Sequence, residues 1–311
     1  MHKKYIFYII AASFLIITGM AACKPGNSKD NKNSGNEKRK TGLLLVNHGS
    51  RSATWRSALL DLEKNISPQI LNGKKIEGIK TAFMEYNEPS IATQMKAFDD
   101  EGFTDVIVTP IFLTVSPHSF EDIPTILGQK EDPKSMEMLK IEKIARYTPK
   151  AKVHITPLLD FTEVLEKNVL RRMKELSENP AEEGVVLIGY GDETYEKEWE
   201  ALFRKVGKYL QDNAGIDHLE YAWCGHIAHY SSGPTTNAIN KILRAKKKAI
   251  VIPVLVAFDE NFQLKIIGGG VEKVKDYKQR VMYKPDAILP DANVERWAID
   301  ITNSYADKVM Q

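Results

Sequence analysis

Leu43-Leu-Leu-Val-Asn-His48-Gly-Ser-Arg51 decides the fold. Five uncharged residues, four of them aliphatic, run directly into a histidine, a glycine and a polar pair. An unbroken apolar run, rather than an alternating one, is what a strand covered on both faces requires, the state of strands in parallel α/β sheets. Groups that follow such a strand line the crevice at its carboxyl end, where α/β proteins bind ligands. A second stretch, Val106-Ile-Val-Thr-Pro-Ile-Phe-Leu-Thr-Val-Ser-Pro-His118, ends in the same way. Two imidazoles aimed at one crevice point to metal or proton chemistry.

Outward from these stretches, short β-branched runs alternate with longer amphipathic segments, the pattern of repeated βα units. Strands are predicted at residues 43–47, 79–84, 105–113 and 153–156, and helices at 53–64, 90–101, 119–127 and 162–176. Residues 128–149 read as an irregular insert. The order then restarts, with strands at 185–189, 219–223, 249–256 and 280–283 and helices at 193–210, 235–245, 263–274 and 292–309. Leu45-Val-Asn-His48-Gly-Ser aligns with Leu187-Ile-Gly-Tyr190-Gly-Asp, and Val108-Thr-Pro110-Ile-Phe-Leu with Val251-Ile-Pro253-Val-Leu-Val. The first alignment puts Tyr190 opposite His48, 142 residues on, and the second puts Asn261 opposite His118, 143 residues on. Two anchors agreeing within one residue imply a duplicated α/β fold: two similar doubly wound lobes with parallel sheets and an active cleft between them. Only the first half carries the imidazoles.

The chain has 311 residues, 43% hydrophobic and 27% charged, which is an ordinary globular composition. Its start is different. Lys3 and Lys4 precede an uncharged apolar stretch ending in Ala21-Ala22-Cys23, a secretory signal pattern. The stretch is short for a membrane span, which needs about 20 residues. The small residues before Cys23 resemble a bacterial lipobox, so Cys23 is expected to carry lipid and to become the mature N-terminus. The protein would then be an exported lipoprotein, anchored in a membrane and facing the periplasm or the cell surface. Residues 24–40 are polar throughout and read as a flexible tether. The expected organisation is therefore a signal peptide at 1–22, a tether at 23–40, an N-terminal lobe carrying the metal site at 41–179 and a C-terminal lobe at 180–311. Loss of Lys3 and Lys4 leaves 41 basic side chains against 41 acidic ones. Such a balance gives no global field for nucleic acid, and no nucleic-acid motif is present. With Cys23 lipidated, Cys224 has no partner and no disulfide framework exists.

Imidazole suits cobalt, nickel, iron and zinc, and a carboxylate completing the site adds charge and a proton acceptor. Glu85 ends the predicted strand at 79–84 and would reach the same edge as His48 and His118. It reads equally well as the start of the next helix, before Pro89. Glu121 and Asp122 after His118 read as helix caps rather than partners of the imidazole. His2, His154 and His218 read as structural, as do His226 and His229, which fall roughly opposite Glu85 in the repeat. Cys224 reads as a buried small hydrophobe and Gly268-Gly-Gly270 as a bend. Arg51, Arg56 and Lys80 are the basic residues within reach of an acidic ligand, although exposed basic residues on helices usually meet only water.

At these residues the chain resembles the class II tetrapyrrole chelatases, specifically the sirohydrochlorin cobaltochelatase and ferrochelatase family. The resemblance rests on Leu-Val-Asn-His48-Gly-Ser-Arg51, on Ala82-Phe-Met-Glu85-Tyr-Asn-Glu-Pro89-Ser-Ile91, and on Pro110-Ile-Phe-Leu113 leading to His118 and Asp122-Ile-Pro124. It implies insertion of a divalent metal (Co2+, Fe2+ or Ni2+) into a tetrapyrrole, with no nucleotide or other cofactor. It also implies that His48 and His118 handle the metal and that Glu85 is their acidic partner. The tetrapyrrole, the metal and the membrane are the expected partners. The alternative within the same resemblance is a lipoprotein that binds a tetrapyrrole or metal without catalysis.

Overall fold

The computed structural model describes residues 39–113, 116–159 and 162–311. The signal-like segment, the lipidation candidate Cys23 and most of the expected tether lie outside the described residues. Strand β1 (Thr41–Asn47) is buried along its whole length, as its unbroken apolar run requires. It pairs in parallel with β2 (Gly78–Phe83) and β3 (Asp105–Pro110), and β3 with β4 (Lys152–Ile155), in the order β2-β1-β3-β4. The second sheet repeats this with β5 (Glu183–Gly189), β6 (Leu219–Trp223), β7 (Lys248–Val254) and β8 (Val281–Tyr283), in the order β6-β5-β7-β8. The predicted strand at 105–113 stops at Pro110, although Ile111 N–H still donates to Val46 O at 2.8 Å.

Even the helix-packing requirement is duplicated. A Cβ on Gly42 would stand 2.5 Å from the Phe98 ring, and one on Gly184, 142 residues later, 2.7 Å from Ile242. Phe98 belongs to α2 (Ile91–Asp100) and Ile242 to α7 (Gly233–Ala245), the helices that cover equivalent faces of the two sheets. Each half therefore needs a glycine where its covering helix presses on the central strand.

Helix α1 (Ala53–Asn72) runs past the predicted 53–64, because Ile66 and Ile70 extend the buried stripe of Leu59 and Leu62. Residues 128–149 are not irregular throughout. They contain α4 (Pro133–Ile141), started by the Asp132 side chain accepting from Ser135 N with Pro133 in the first turn. The predicted helices at 119–127 and 263–274 begin as π-helical turns, His118–Asp122 and Asn261–Gly268, and continue as α3 (Ile123–Ile126) and α8 (Gly269–Glu272). Gly268-Gly-Gly270 thus lies within a helical segment and is not a bend.

The remaining helices are α5 (Val164–Leu176), α6 (Glu196–Ala214), the single turn α9 (Tyr277–Arg280) and α10 (Ala292–Met310). Two of them cross between the halves. Helix α5 packs on α6 and β7 of the second half, whereas α10 packs on α1 and β3 of the first. Residues 39–311 accordingly form one compact unit, with a continuous core running from Leu43 and Ile107 through Leu165 and Val169 to Leu187 and Ile252. Among the described residues no helix is long and apolar enough to cross a membrane.

Arg172 fastens the α5 crossing. It is 2% exposed, donates to Pro253 O at 2.8 Å and forms an ion pair with Asp286. Removing one member of a buried pair leaves an uncompensated charge. Arg172→Ala is expected to destabilise the protein by roughly 3 kcal/mol, the low end of the usual range because Asp286 is partly exposed. A urea midpoint within error of the unaltered protein would remove Arg172 from this role.

Candidate metal centre

The crevice at the carboxyl end of the first sheet collects the three expected residues. His48 follows β1 directly. Gly49, at φ +101°, then turns the chain so tightly that a Cβ there would lie 2.0 Å from Glu85 O. Glu85 is fixed by its backbone, its N–H donating to His48 O at 2.8 Å, and is 7% exposed. It sits before the helix, not in it; Ser90 caps α2. His118 opens its π-helical turn, and its ring meets that of His48 edge to face at 4.8 Å between centroids.

One donor atom from each of His48, Glu85 and His118 can be chosen so that all lie within 4.8 Å of one another. Two donors on one ion with bonds of about 2.1 Å stand at most about 4.2 Å apart. The set therefore closes by small side-chain rotations. Among the described residues it is the one such group of three or more.

Both imidazoles are aimed. His48 Nδ1 lies 3.1 Å from Gly49 O, and a carbonyl can only accept, so the proton sits on Nδ1 and the Nε2 lone pair is free. His48 Nε2 is 4.0 Å from Glu85 Oε1. His118 Nδ1 lies 2.7 Å from Asp122 Oδ2, leaving its Nε2 for a ligand. Asp122 makes no capping bond, which corrects the sequence reading. The π-helical turn, with Ile123 N–H bonded to His118 O, swings Asp122 back onto the ring it follows. A carboxylate behind a ligating imidazole fixes its tautomer and raises its basicity.

The two histidines differ in proton affinity. Burial, then the neighbouring His118, lowers the His48 pKa from 6.5 to about 4, although 37% of its side chain faces the cleft. Burial also disfavours the charged form of His118, but the hydrogen bond and charge of Asp122 outweigh it and hold that pKa above the ordinary value. His48 is thus an unprotonated ligand at neutral pH, while His118 holds its proton more tightly.

Sequence reasoning missed Glu142, which ends α4 inside the insert. Its carboxyl meets that of Glu85, and burial together with the Glu85 charge raises its pKa to about 7. Burial and Glu85 also push the Tyr86 hydroxyl up to about 12. No local pattern marks Glu142; only the packing of α4 brings it here. Of the basic candidates, Lys80 is paired with Glu101 at 2.7 Å and Arg56 holds Ser50 O at 2.7 Å, whereas Arg51 lies over the Tyr86 ring at 5.4 Å. Cys224 is fully buried and its thiol is pushed up to about 12 by burial, as expected of an inert core residue. His154 pairs with Asp105 at 2.9 Å and His218 with Asp217 at 3.0 Å, both away from the crevice residues.

In the second half the ligand positions are empty of ligands. Gly225 N donates to Tyr190 O at 2.9 Å, the bond that Glu85 makes to His48, so the counterpart of Glu85 is Gly225 and that of Tyr86 is His226. Tyr190, Gly225 and Asn261 offer neither imidazole nor carboxylate. The two halves meet beside the centre: Ser50 Oγ donates to Asp259 at 3.0 Å, and Ser52 and Thr54 donate to Glu260, each at 3.1 Å.

Fold and site define a duplicated parallel α/β protein with a two-imidazole, one-carboxylate centre at the carboxyl end of its first sheet, beside contacts between its halves. The sequence pattern of the CbiX family matches residues 42–176. The chain is 36% identical over 86 residues to the sirohydrochlorin cobaltochelatase of Methanococcus maripaludis, covering 28% of this chain and 57% of that one. It is 34% identical over 98 residues to the sirohydrochlorin cobaltochelatase of Methanococcoides burtonii, covering 32% and 70%. The chain belongs to the sirohydrochlorin cobaltochelatase (CbiX) family. Its match spans less than two thirds of the M. maripaludis protein. Among solved structures, the Bacillus subtilis sirohydrochlorin chelatase SirB with cobalt superimposes with a TM-score of 0.61 at 18% identity, over 86% of this chain and 96% of that one. SirB with Fe3+ gives 0.65 at 19% identity over the same shares. These two share the fold.

Proposed function

We propose that this protein inserts a divalent metal, cobalt or iron, into sirohydrochlorin or a related tetrapyrrole. The observation that carries the reading is the convergence of His48, Glu85 and His118 donor atoms within 4.8 Å. Family membership supports it. The metal is substrate, and no other cofactor is required. Insertion exchanges two pyrrole protons for one M2+, so the site must hold the metal and receive two protons. His48, unprotonated at neutral pH, serves as ligand. The acceptors are Glu142, whose pKa of about 7 suits a base working near neutrality, and His118, whose proton affinity Asp122 raises.

The test is a spectral assay of the purified full-length chain with sirohydrochlorin and a panel of divalent metals. Absorption bands shifting faster than the uncatalysed rate support insertion. Stoichiometric binding with no insertion under any metal would establish the non-catalytic alternative instead.

Metal affinity should depend on pH through His118. Its pKa is raised, so its proton competes with metal as pH falls through that raised pKa, and affinity drops up to about tenfold per unit below it. His48 adds a further loss only as pH approaches about 4. Asp122→Asn should move the upper loss to lower pH, because burial of His118 is then opposed only by the charges of Glu85 and Glu142. It should also lower the plateau affinity roughly 10- to 100-fold. Cobalt titrations between pH 5 and pH 8.5 would show both effects, and an unmoved midpoint would remove Asp122 from the site.

The export reading is proposed on residues 2–23. Signal cleavage before Cys23, lipidation of its thiol and anchoring in a membrane would place the activity outside the cytoplasm. Mass spectrometry of the mature N-terminal peptide tests this, with Cys23→Ala expected to release the protein from the membrane fraction.

A further inference from the structure

The second half has no metal ligands at the equivalent positions, and what stands there is not a plain surface. Tyr190, in the His48 position, packs edge to face with His226 at 5.4 Å and with Phe262 at 5.6 Å between centroids. Tyr230 joins them, 5.4 Å from His226 and 6.2 Å from Phe262. The Tyr230 hydroxyl lies 3.1 Å from Tyr190 Oη and 3.1 Å from His226 Nδ1, tying three of the four rings into one unit. Tyr230 is held at φ +55° and is 45% exposed. A bulky non-glycine residue in that region persists only where its surroundings over-determine it.

This cluster adjoins the segment that bonds to the residues following His48. His226 lies near enough to act on the charge of His48, and Tyr86 near enough to act on that of Tyr190. Phe262 lies two residues after Glu260, and Asp259 and Glu260 accept the hydrogen bonds from Ser50, Ser52 and Thr54. Tyr86, Phe120 and Tyr230 are the exposed aromatic rings among the described residues. Tyr86 adjoins Glu85, and Phe120 shares the turn of His118. The exposed Phe and Tyr rings thus adjoin the metal ligands on one side and belong to the hydrogen-bonded ring cluster on the other. A flat conjugated macrocycle offers ring faces to such a cluster, and aromatic pairs gain beyond the area they bury.

We propose that Tyr190, His226, Tyr230 and Phe262 form the wall on which the macrocycle rests, the second copy of the fold having exchanged metal ligands for a stacking surface. The inference rests on the reading of His48, Glu85 and His118 as the insertion centre. It divides the labour of the duplicated fold: one half presents the metal, and the other holds the conjugated face of the acceptor.

Metal-free sirohydrochlorin titrated into the full-length chain, followed by its absorption, tests this. Tyr230→Ala should weaken macrocycle binding about tenfold, whereas Tyr230→Phe, which keeps the ring and loses the hydroxyl, should stay within about twofold. Cobalt binding without macrocycle should be the same in both variants, which also reports that the fold is intact. Equal macrocycle affinity in the unaltered and Tyr230→Ala chains overturns this inference alone. Tyr230→Phe losing as much as Tyr230→Ala also overturns it, because the ring would then not be what binds. An unaltered chain that binds cobalt but takes up no macrocycle overturns the insertion reading and this one with it.

Discussion

Replacing His118 by alanine is expected to lower metal insertion by roughly 10²- to 10⁴-fold, the range for losing a positioned proton-transfer group, with the fold preserved. The variant removes a donor and a proton acceptor together. It also strands Asp122, whose Oδ2 lies 2.7 Å from the ring. His118 keeps 31% of its side chain exposed, so its loss opens no closed cavity, and the destabilisation should stay near about 1 kcal/mol. His48→Ala should cost a similar factor but behave differently with metal concentration. His48 is the unprotonated ligand, so excess cobalt should recover part of the His48→Ala rate and little of the His118→Ala rate. Initial rates against cobalt concentration, with thermal unfolding of each variant, measure both. Normal turnover by His118→Ala at saturating cobalt would show that the site works without it.

The sheets were legible because burial on both faces writes itself as unbroken apolar runs, and β1 and β5 carry such runs at a fixed offset. The pair of histidines was legible for the same reason, since each stands just past a run. What was illegible depends on tertiary packing. The apolar stripes of α5 and α10 announce a buried face but not which sheet it covers, and both helices cross to the other half. The π-helical start at His118 shares the apolar periodicity of an α-helix, so Asp122 read as a cap when the wider turn makes it the partner of the imidazole. Glu142 sits at the end of a helix that was read as irregular chain. The counterpart of Glu85 was also misplaced: loop lengths shift the offset, and only the matching hydrogen bonds to His48 O and Tyr190 O identify Gly225.

That counterpart sharpens the asymmetry between the halves. At all three ligand positions the second half has a residue that binds divalent metal poorly, and at one it has no side chain at all. Both halves nevertheless retain the strand-to-turn glycine, Gly49 at φ +101° and Gly191 at φ +82°. The turn is a requirement of the fold, and the chemistry is added to it in one half.

Gly49→Ala is therefore expected to damage fold and site together. The new Cβ would stand 2.0 Å from Glu85 O, a backbone atom that cannot swing aside, at a φ that L side chains rarely adopt. Gly102 separates the two contributions, because it has φ +76° with nothing within 4 Å of an added Cβ. Gly102→Ala should then report the backbone conformation alone, about 1 kcal/mol, while Gly49→Ala adds the collision and should reach about 3 kcal/mol or more. Relief of the collision must move Glu85 away from His48, since its N–H is bonded to His48 O at 2.8 Å. Cobalt affinity should fall at least about tenfold in Gly49→Ala and stay unchanged in Gly102→Ala. Urea unfolding and cobalt titration of the two variants side by side decide the matter. If Gly49→Ala proves no more destabilising than Gly102→Ala, or binds cobalt undiminished, the tight turn is not what holds Glu85 against His48.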